Sequence, residues 1–411
     1  MTKIVIVGAG FGGLQTALGL EKKFRKKKDI SITLIDKRDY HLFTPNLFEV
    51  ATAEEELVSV KQLKSSVTLP IRKILGGKNI KFVQGQINSV EARQNRLQTR
   101  GKFIDYDFLV LALGSQSDFF NIPGAQENSL TLKDLPDALR IRNAVEFAVQ
   151  NHRMDVNKNT LRVVVAGGGY TGVELVGELK GLVNFLAWKN GYPREKIELE
   201  IIEAANKLVP GFDDRLSQDA YDRLRDLDVR VRLSARIAAV DSHLLELMGG
   251  EKIAHDVLIW TTGVKACDMY MGSSMTLDKK GRLPVNGFLQ LDGHHNIFAL
   301  GDIARVLDQA GKPVPSSAQD ACDQGKYLAK AIPYIIKNQT PPKTYVPNKH
   351  GFIVNVGGKW AVMNYKGFYA KGFLAFVIDG LAHLNYYISI IGVWRAVKWY
   401  AFQLEMYDRN D

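Results

Sequence analysis

Two glycine clusters are the residues whose type and spacing most clearly predict chemistry. The pattern Gly-x-Gly-x-x-Gly occurs twice, each time directly after a short apolar run. The first glycine of such a pattern permits a tight turn, the second lets the backbone approach a pyrophosphate, and the third lets the following helix pack closely. The free N–H groups of a helix N-terminus favour phosphate groups. The two sets are Gly8, Gly10 and Gly13, and Gly167, Gly169 and Gly172.

An acidic residue follows each cluster at the end of the next predicted strand. Asp36 closes Ser31–Ile35, and Glu203 closes Glu198–Ile202. A carboxylate at this position accepts hydrogen bonds from the ribose hydroxyls and repels a 2′-phosphate. Ala204 and Ala205 follow Glu203, without an arginine, so the second site is predicted to prefer NADH to NADPH. A glycine-rich turn without a ligand is the alternative interpretation of either cluster.

Two dinucleotide sites in one chain predict two dinucleotides. A bound FAD and an exchangeable NADH are the pair we expect, because a flavin can accept hydride from a nicotinamide and pass electrons onward.

The elements that must position these residues follow a strand–turn–helix–strand plan, which occurs twice. Lys3–Val7 and Leu161–Ala166 are the predicted strands before the turns. Three further short apolar runs are each followed by glycine within a few residues, and this pattern is typical of an α/β fold with parallel sheets. These runs are Phe108–Ala112, Val257–Thr261 and Asn296–Leu300.

Composition excludes some classes of protein and leaves others open. The 411 residues are 46% hydrophobic and 24% charged, which is ordinary for a globular chain. The net charge of +10 is compatible with nucleic acid, anionic lipid or simple solubility. Cys267 and Cys322 provide neither a disulfide framework nor metal-ligand spacing, so we predict no metal site.

The C-terminal segment Phe373–Leu404 is apolar and rich in Trp and Tyr, but charged residues interrupt it. Residues 330–411 contain ten Lys and Arg against four acids. Tryptophan, tyrosine and snorkelling cations suit a membrane interface. We therefore predict one or two amphipathic helices that lie on a membrane. A core helix pair or a dimer interface is the alternative, and a spanning helix is less favoured.

Two more motifs resemble the two-dinucleotide-binding-domain flavoprotein superfamily. Ala112–Ser115 is similar to its Ala-Thr-Gly segment, and Ile297–Asp302 is similar to its second FAD motif. The resemblance implies a glutathione-reductase-like fold with two Rossmann-like domains and a C-terminal membrane-associated helical segment. The implied ranges are 1–120 and 285–340 for a discontinuous FAD domain, 121–284 for the NADH domain and 341–411 for the C-terminal region.

Within that superfamily the chain most resembles the type II NADH:quinone oxidoreductases. Four stretches carry the resemblance in the family's order: Asp39–Pro45, Gly169–Glu174, Trp260–Val264 and Ala318–Gly325. The resemblance implies non-electrogenic hydride transfer from NADH to FAD, and then transfer of two electrons and two protons to a membrane quinone. It also implies a homodimer and a peripheral position on the cytoplasmic, NADH-containing face of a membrane. No nucleic-acid partner is expected.

The sequence departs from the family pattern at three positions. Asp323 replaces an expected glutamine, and Asp379 and Asn385 stand where apolar residues are expected.

The resemblance also implies roles for individual residues. Glu174 delivers a proton to the quinone, and the amides of Gln319 and Gln324 bind a quinone carbonyl. A helix-terminal Glu and ordinary helix polarity are the alternatives. The residues expected to contact FAD are Gly8, Gly10, Phe11, Gly12, Gly13, Asp36, Lys37, Thr44, Pro45, Ala112, Gly114, Gly301, Asp302, Ala318 and Gln319. Those expected to contact NADH are Gly167, Gly169, Tyr170, Thr171, Gly172, Glu174, Glu203, Thr262 and Gly263.

Three other functions remain open at this stage. A soluble NADH-dependent flavoprotein reductase would use a protein or oxygen as acceptor. A sulfide:quinone reductase would need a cysteine pair near the flavin. A flavin-binding redox sensor or DNA-binding protein would use the basic surface, although no helix-turn-helix or zinc pattern supports it.

Overall fold

The computed structural model describes residues 1–54, 60–99, 101–154, 160–268 and 277–408. The chain forms two compact units, each assembled from three stretches. The first unit consists of Met1–His41, Leu69–Gln116 and Val264–His350. The second unit consists of Leu42–Thr68, Ser117–Gly263 and Gly351–Asp411.

The strands are short, and the two five-stranded sheets that they form are parallel. In chain order they are β1 (Thr2–Val7), β2 (Ile30–Asp36), β3 (Tyr40–Leu42), β4 (Thr68–Pro70), β5 (Lys81–Gln84), β6 (Ile87–Glu91), β7 (Arg96–Thr99), β8 (Lys102–Asp105), β9 (Phe108–Leu111), β10 (Ser115–Ser117), β11 (Leu130–Thr131), β12 (Leu161–Ala166), β13 (Ile197–Ile202), β14 (Val229–Arg232), β15 (Ile237–Val240), β16 (Leu244–Leu247), β17 (Lys252–Ala254), β18 (Val257–Trp260), β19 (Val264–Ala266), β20 (Leu283–Pro284), β21 (Ile297–Ala299), β22 (Ala304–Arg305), β23 (Phe352–Asn355), β24 (Ala361–Tyr365) and β25 (Phe368–Gly372).

A helix follows each of the two glycine clusters, as predicted. In chain order they are α1 (Phe11–Phe24), α2 (Leu47–Ala51), α3 (Val60–Val67), α4 (Ile71–Leu75), α5 (Leu135–Met154), α6 (Tyr170–Asn190), α7 (Asp214–Asp226), α8 (Ala318–Ile335), α9 (Phe373–Ile391) and α10 (Val393–Asp408).

A parallel sheet with the strand order β21-β9-β1-β2-β5 forms the core of the first unit. Ile4–Val7 are all buried, and because successive side chains point to opposite faces, both faces of the sheet are covered. Val7 pairs with Ile35 and with Leu111, so the loops after β1, β2 and β9 emerge at one edge. The helices α1 and α8 pack so closely that a Cβ on Gly19 would come within 2.5 Å of Ala329 Cβ.

The second unit contains a parallel sheet of the same kind, with the order β11-β18-β12-β13-β14. Ala166 pairs with Ile202 and with Trp260, so the loops after β12, β13 and β18 also emerge at one edge. The buried Trp260 and Leu258 belong to a core that the antiparallel strands β15–β17 complete. The predicted α/β fold with two Rossmann-like sheets is confirmed.

The boundaries of the two units differ from the predicted domain ranges. Hydrogen bonds and packing contacts account for the differences. Residues 264–284 belong to the first unit, where β20 pairs with β22 and the Cys267 N–H bonds to the Gly114 carbonyl. Residues 351–411 belong to the second unit, because Gly357 packs against Gly177 of α6 and α9 packs on β24 and β25. The short helix α2 also joins this unit, where it contacts α5 and α6.

Two helices form the C-terminal segment, in agreement with the prediction of one or two. Gly372 and Gly392, with φ of 79° and 81°, bound α9 at its two ends. The buried Gln403 of α10 donates hydrogen bonds to the Tyr387 hydroxyl of α9, at 2.9 Å, and to the Ser66 carbonyl of α3. Among the described residues, α9 is the helix that is long and apolar enough to cross a membrane, and most of it is not buried.

Candidate functional site

The first glycine cluster forms a tight turn with one open position. A Cβ on Gly8 would lie 2.1 Å from the Ala112 carbonyl oxygen, and a Cβ on Gly13 would lie 1.8 Å from the Gly8 carbonyl oxygen. Gly8 also has φ of +107°, which disfavours other residues. By contrast, no described atom lies within 4 Å of a Cβ built on Gly10. The turn therefore leaves free space only above the glycine that is predicted to face a pyrophosphate.

Asp36 is fixed by the backbone on both sides of the turn. One carboxylate oxygen accepts the Ala9 N–H at 2.7 Å, and the other accepts the Arg38 N–H at 2.8 Å. The remaining lone pairs of the two oxygens are available to ribose hydroxyl groups. Lys37, between Asp36 and Arg38, is exposed. Asp36 thus stands where the sequence places it, at the end of β2 beside the turn.

His41 is a contributor that the sequence alone did not identify. It is buried, and burial lowers its pKa to about 4, so its ring is neutral at neutral pH. Its Nδ1 lies 3.0 Å from the Ala9 carbonyl oxygen, and a neutral ring must donate its N–H there. Its ring also contacts Phe11 edge to face, with centroids 5.1 Å apart. His41 therefore holds the turn and the first residue of α1 together.

The remaining residues of the first site cluster around Gly301 and Asp302. The Ser115 hydroxyl donates to an Asp302 carboxylate oxygen at 2.6 Å, and the Gly301 N–H donates to Gln324 Oε1 at 2.7 Å. A Cβ on Gly12 would lie 2.1 Å from Leu300 Cδ1 and 2.7 Å from the Ala321 carbonyl oxygen. The α1 N-terminus, the loop after β21 and the α8 N-terminus therefore meet in the first unit.

The predicted residues on α8 have different surroundings. Ala318 is half-buried and Gln319 is exposed in the first turn, after the Ser317 cap. Gln324 is 3% exposed, and its Oε1 accepts the Gly301 N–H at 2.7 Å. The carbonyl end of the Gln324 amide is therefore engaged within the first unit.

The second glycine cluster repeats the geometry of the first in the second unit. A Cβ on Gly172 would lie 1.9 Å from the Gly167 carbonyl oxygen, and Gly167 has φ of +108°. No described atom lies within 4 Å of a Cβ on Gly169, which begins α6 without a side-chain cap from any described residue. Both turns are thus closed at their first and third glycines and open at the second.

Glu203 repeats the hydrogen bonds of Asp36. Its two carboxylate oxygens accept the Gly168 and Ala205 N–H groups, each at 2.7 Å. In each site the acid therefore bonds to the residue after the first glycine and to the residue two places beyond itself. This equivalence follows from the matched registers of the two sheets.

The other residues predicted for the second site lie around the same edge of its sheet. Tyr170 packs edge to face on Phe212, at 4.8 Å between centroids, and burial raises its pKa. Thr171 is exposed. The Thr262 hydroxyl lies 3.5 Å from the Asp118 carbonyl oxygen, and a Cβ on Gly263 would meet the Phe120 ring at 2.9 Å.

Thr44 and Pro45 belong to the second unit, although the sequence groups them with the FAD residues. They lie in a short 3-10 turn, Thr44–Asn46, that leads into α2.

Glu174 lies in the second turn of α6, next to other acidic side chains of the second unit. Burial raises its pKa well above the usual range, and the negative charges of Asp379 and Glu49 raise it further. A hydrogen bond from the Asn355 backbone N–H acts in the opposite direction. A carboxyl group in these surroundings retains its proton at pH values where an exposed glutamate has lost it.

Comparison with known proteins assigns the chain to a family. Residues 2–325 match the sequence profile of the pyridine nucleotide-disulphide oxidoreductases. The chain belongs to this family. As a pyridine nucleotide-disulphide oxidoreductase it has few cysteines: Cys322 is buried, and burial raises its thiol pKa to about 12, while the Cys267 thiol lies 3.5 Å from the Leu113 carbonyl oxygen.

A curated relative and two solved structures are similar over most of their length. The type II NADH:quinone oxidoreductase of Staphylococcus haemolyticus (strain JCSC1435) is 29% identical over 346 residues, covering 82% of this chain and 83% of the relative. NDH2 from Plasmodium falciparum, in complex with NADH, has a TM-score of 0.84 at 20% identity, covering 97% of both chains. The sulfide:quinone oxidoreductase of Aquifex aeolicus has a TM-score of 0.76 at 20% identity, covering 97% of this chain and 92% of that one. The two structures share the fold of this pyridine nucleotide-disulphide oxidoreductase.

Among the residues that the structure describes, no group of three or more His, Cys, Asp or Glu side chains is arranged to hold a metal ion.

Proposed function

We propose that this chain is a type II NADH:quinone oxidoreductase, which carries FAD and transfers electrons from NADH to a quinone without pumping protons. The observation that carries the proposal is the pair of equivalent glycine turns, each with an open second glycine and an acid bonded to two backbone N–H groups. The name of the Staphylococcus haemolyticus relative supports the same reaction.

The first unit is the part that we expect to hold FAD. The open space above Gly10 fits a pyrophosphate, Asp36 fits a ribose, and Asp302 is held by Ser115 for a polyol chain. We assign Gly8, Phe11, Gly12, Gly13, Lys37, Ala112, Gly114, Gly301 and Ala318 to the same site. Thr44 and Pro45, which belong to the second unit, stay predicted FAD contacts on the sequence resemblance alone. FAD, when bound, supplies the acceptor for hydride from the nicotinamide and the donor of two electrons to the quinone.

The second unit is the part that we expect to bind NADH. The pyrophosphate faces Gly169 and the uncapped N–H groups of α6, while Glu203 accepts the ribose hydroxyls. A 2′-phosphate would bring negative charge against a carboxylate that the backbone holds in place, so NADPH is disfavoured. Tyr170, Thr171, Thr262 and Gly263 complete this assignment.

The proton requirement of the reaction gives Glu174 its role. Conversion of NADH and a quinone to NAD⁺ and a quinol takes up one proton from the surroundings in each turnover. A general acid must hold a proton near neutral pH to donate it, and burial gives Glu174 the raised pKa that this requires. We therefore assign Glu174 to proton delivery.

The two glutamines of α8 are assigned different tasks. The exposed Gln319 can offer its amide to a quinone carbonyl. The buried Gln324 already accepts the Gly301 N–H, so its contribution is to hold the Gly301–Asp302 loop in place.

The C-terminal helices are the part that we expect to lie on a membrane. Large apolar side chains of α9 and α10 are exposed, among them Leu374, Leu381 and Trp394, which is 85% exposed. The polar Asp379 and His383 interrupt the apolar character of α9, which favours a helix on the surface over one that spans the bilayer. We propose a peripheral enzyme on the cytoplasmic, NADH-containing face, and a homodimer, which light scattering of the purified protein would test.

Anaerobic stopped-flow spectroscopy of the purified flavoprotein tests the proposed function. We expect rapid loss of flavin absorbance with NADH, slow loss with NADPH, and rapid reoxidation by a short-chain quinone. Rapid bleaching without reoxidation by quinone would refute the quinone assignment and point to a soluble reductase with a protein or oxygen acceptor. A protein purified without flavin that does not bind added FAD would refute the whole proposal.

The sulfide:quinone reductase alternative is not favoured. Such chemistry needs reactive thiolates, whereas burial raises the pKa of the Cys322 thiol to about 12.

A further inference from the structure

The loop that follows Glu203, residues 204–213, covers the second glycine turn. Leu208 Cδ2 lies 2.8 Å from a Cβ built on Gly168, and the Val209 N–H donates to the Gly168 carbonyl oxygen at 2.7 Å. Val209 has φ of +47°, a left-handed conformation that is unfavourable for a β-branched residue. A loop that contains such a residue keeps its shape only where the surrounding contacts hold it.

Three aromatic rings hold the far end of the 204–213 loop. The Phe212 ring packs edge to face on Tyr170, the first residue of α6, at 4.8 Å between centroids, and on Phe352 of β23 at 4.2 Å. The rings of Tyr170 and Phe352 are 6.3 Å apart. Edge-to-face pairs at such distances stabilise a contact beyond the apolar area that they bury. The rings therefore tie the loop to α6 and to a C-terminal strand.

The first glycine turn is closed in a simpler way. There His41 alone contacts both the Ala9 carbonyl oxygen and the Phe11 ring. In the second turn the equivalent contacts are divided between the Val209 N–H and the Phe212 ring. The second turn therefore depends on a longer loop, and that loop depends on support from outside it.

Strand β24 holds the residue at which the loop ends. Asn364 Nδ2 donates to Asp213 Oδ2 at 2.6 Å, while Asn364 Oδ1 accepts the Gly367 N–H at 3.1 Å. The other Asp213 oxygen accepts the Leu216 N–H at 2.8 Å and thereby caps α7. Asp213 is thus shared between α7 and the C-terminal sheet.

The sheet β23–β25 uses its two faces for different partners. The strand register pairs Phe352 with Asn364, and Asn364 with Tyr369. Directly paired residues of an antiparallel sheet lie on the same face, and this face meets the 204–213 loop and α7, where the Tyr369 hydroxyl donates to Asp219. Alternate residues of the same strands pack against α9, and these are Ile353, Met363 and Ala370.

We propose that Phe352 and Asn364 are positioning residues for NADH, which hold the 204–213 loop in the shape that binds the coenzyme. The loop in turn fixes Glu203, through the Ala205 N–H, and the Tyr170 ring. The inference rests on the proposed binding of NADH at the second turn. It gives the strands β23 and β24, which the sequence assigns to a membrane-anchoring region, a second task in the NADH site.

Stopped-flow flavin reduction over a range of NADH concentrations separates binding from chemistry in Phe352→Ala and Asn364→Ala. A loop that is less restrained in the free protein must be ordered when NADH binds. The Kd for NADH should therefore rise by about fivefold, the effect of one lost aromatic pair or hydrogen bond, while the limiting rate stays within about twofold of wild type. Phe352→Tyr keeps the ring and should restore wild-type binding.

Phe368→Ala is the matched control for Phe352→Ala. It removes the same ring from the same sheet, on β25, where Phe368 is 57% exposed and has no ring contact among the residues that the structure describes. This variant should bind NADH with the wild-type Kd.

Two measurements without turnover test the loop itself. Hydrogen–deuterium exchange should be faster at residues 204–213 in Phe352→Ala and Asn364→Ala than in the wild type, because the loop has lost a support. Calorimetric titration with NAD⁺, which cannot reduce the flavin, should show the same loss of affinity. Urea unfolding separates the structural alternative, since a residue that only stabilised the fold would lower stability without changing the affinity for NAD⁺.

The outcomes distinguish failure of this inference from failure of the proposed function. Weak NADH binding in Gly169→Ala, together with wild-type Kd and wild-type exchange in Phe352→Ala and Asn364→Ala, would refute the positioning role alone. Wild-type NADH binding in Gly169→Ala would refute the second turn as the NADH site, and the positioning role with it. If Phe352→Ala does not fold, Phe352→Leu, which keeps an apolar side chain without the ring, should show the same rise in Kd.

Discussion

Gly10→Ala and Gly13→Ala each add one methyl group, the first in open space and the second in a closely packed turn. In the apoprotein the methyl at residue 10 meets no described atom within 4 Å, and the backbone there, at φ −75° and ψ −167°, suits alanine. The methyl at residue 13 would lie 1.8 Å from the Gly8 carbonyl oxygen, more than 1 Å inside normal contact. One substitution therefore tests the ligand site and the other tests the fold.

The expected magnitudes follow from these distances. For Gly13→Ala the helix must shift from the strand, and overpacking of this kind lowers the free energy of unfolding by about 3 kcal/mol. For Gly10→Ala the free energy of unfolding of the apoprotein should change by less than about 1 kcal/mol. If a bound pyrophosphate fills the open space, a similar clash of about 3 kcal/mol would raise the Kd for FAD by about a hundredfold.

Two measurements on the flavin-free protein check this contrast. Urea unfolding followed by circular dichroism gives the stability, and quenching of flavin fluorescence gives the affinity. Gly169→Ala is the matched variant in the second turn, and it should weaken NADH binding while FAD is retained. Wild-type affinity for FAD in Gly10→Ala would show that this turn does not face the pyrophosphate, and wild-type stability in Gly13→Ala would contradict the close packing.

Three further predictions concern single side chains. Glu203→Gln removes the charge that opposes a 2′-phosphate, so the ratio of flavin bleaching rates with NADH and NADPH should fall by about tenfold; an unchanged ratio would exclude Glu203 from the ribose site. Burial lowers the pKa of His41 from 6.5 to about 4, so as the pH falls the unfolded chain binds a proton at His41 before the folded protein does. The free energy of unfolding should therefore fall by about 3 kcal/mol between pH 6.5 and pH 4. His41→Gln should flatten that decline in urea unfolding series, and an equally steep decline in the variant would assign it to other groups. Gln319→Ala should raise the KM for quinone, whereas Gln324→Ala should lower the affinity for FAD; equal effects in steady-state kinetics and flavin titration would contradict the division of tasks.

The sequence was sufficient to predict the two turns because each depends on local requirements. Each turn is contained in one segment of about 40 residues. That segment includes the apolar strand, the glycines and the acid at the end of the next strand, β2 or β13. Parallel strand pairing then places them at one sheet edge, and the registers of Val7 with Ile35 and of Ala166 with Ile202 agree with this prediction.

Long-range packing accounts for what the sequence did not reveal. Nothing local indicates that Asn355 would bond to Glu174, which lies far from it in the chain, or that residues 42–68 and 351–411 would join the second unit. In the sequence His41 cannot be distinguished from an ordinary core histidine. Only its contact with the Ala9 carbonyl oxygen reveals its role.

The double hydrogen bonding of Asp36 and Glu203 has a consequence for redesign. Each acid is also part of the turn that it sits beside, since it satisfies backbone N–H groups at both ends of the loop. Replacing Glu203 with a residue that has no side-chain acceptor would therefore leave the Gly168 and Ala205 N–H groups without this partner, and would loosen the loop as well as change its charge. Nucleotide preference and local rigidity are coupled in this chain, so a change of coenzyme would require a rebuilt loop and not a single exchange.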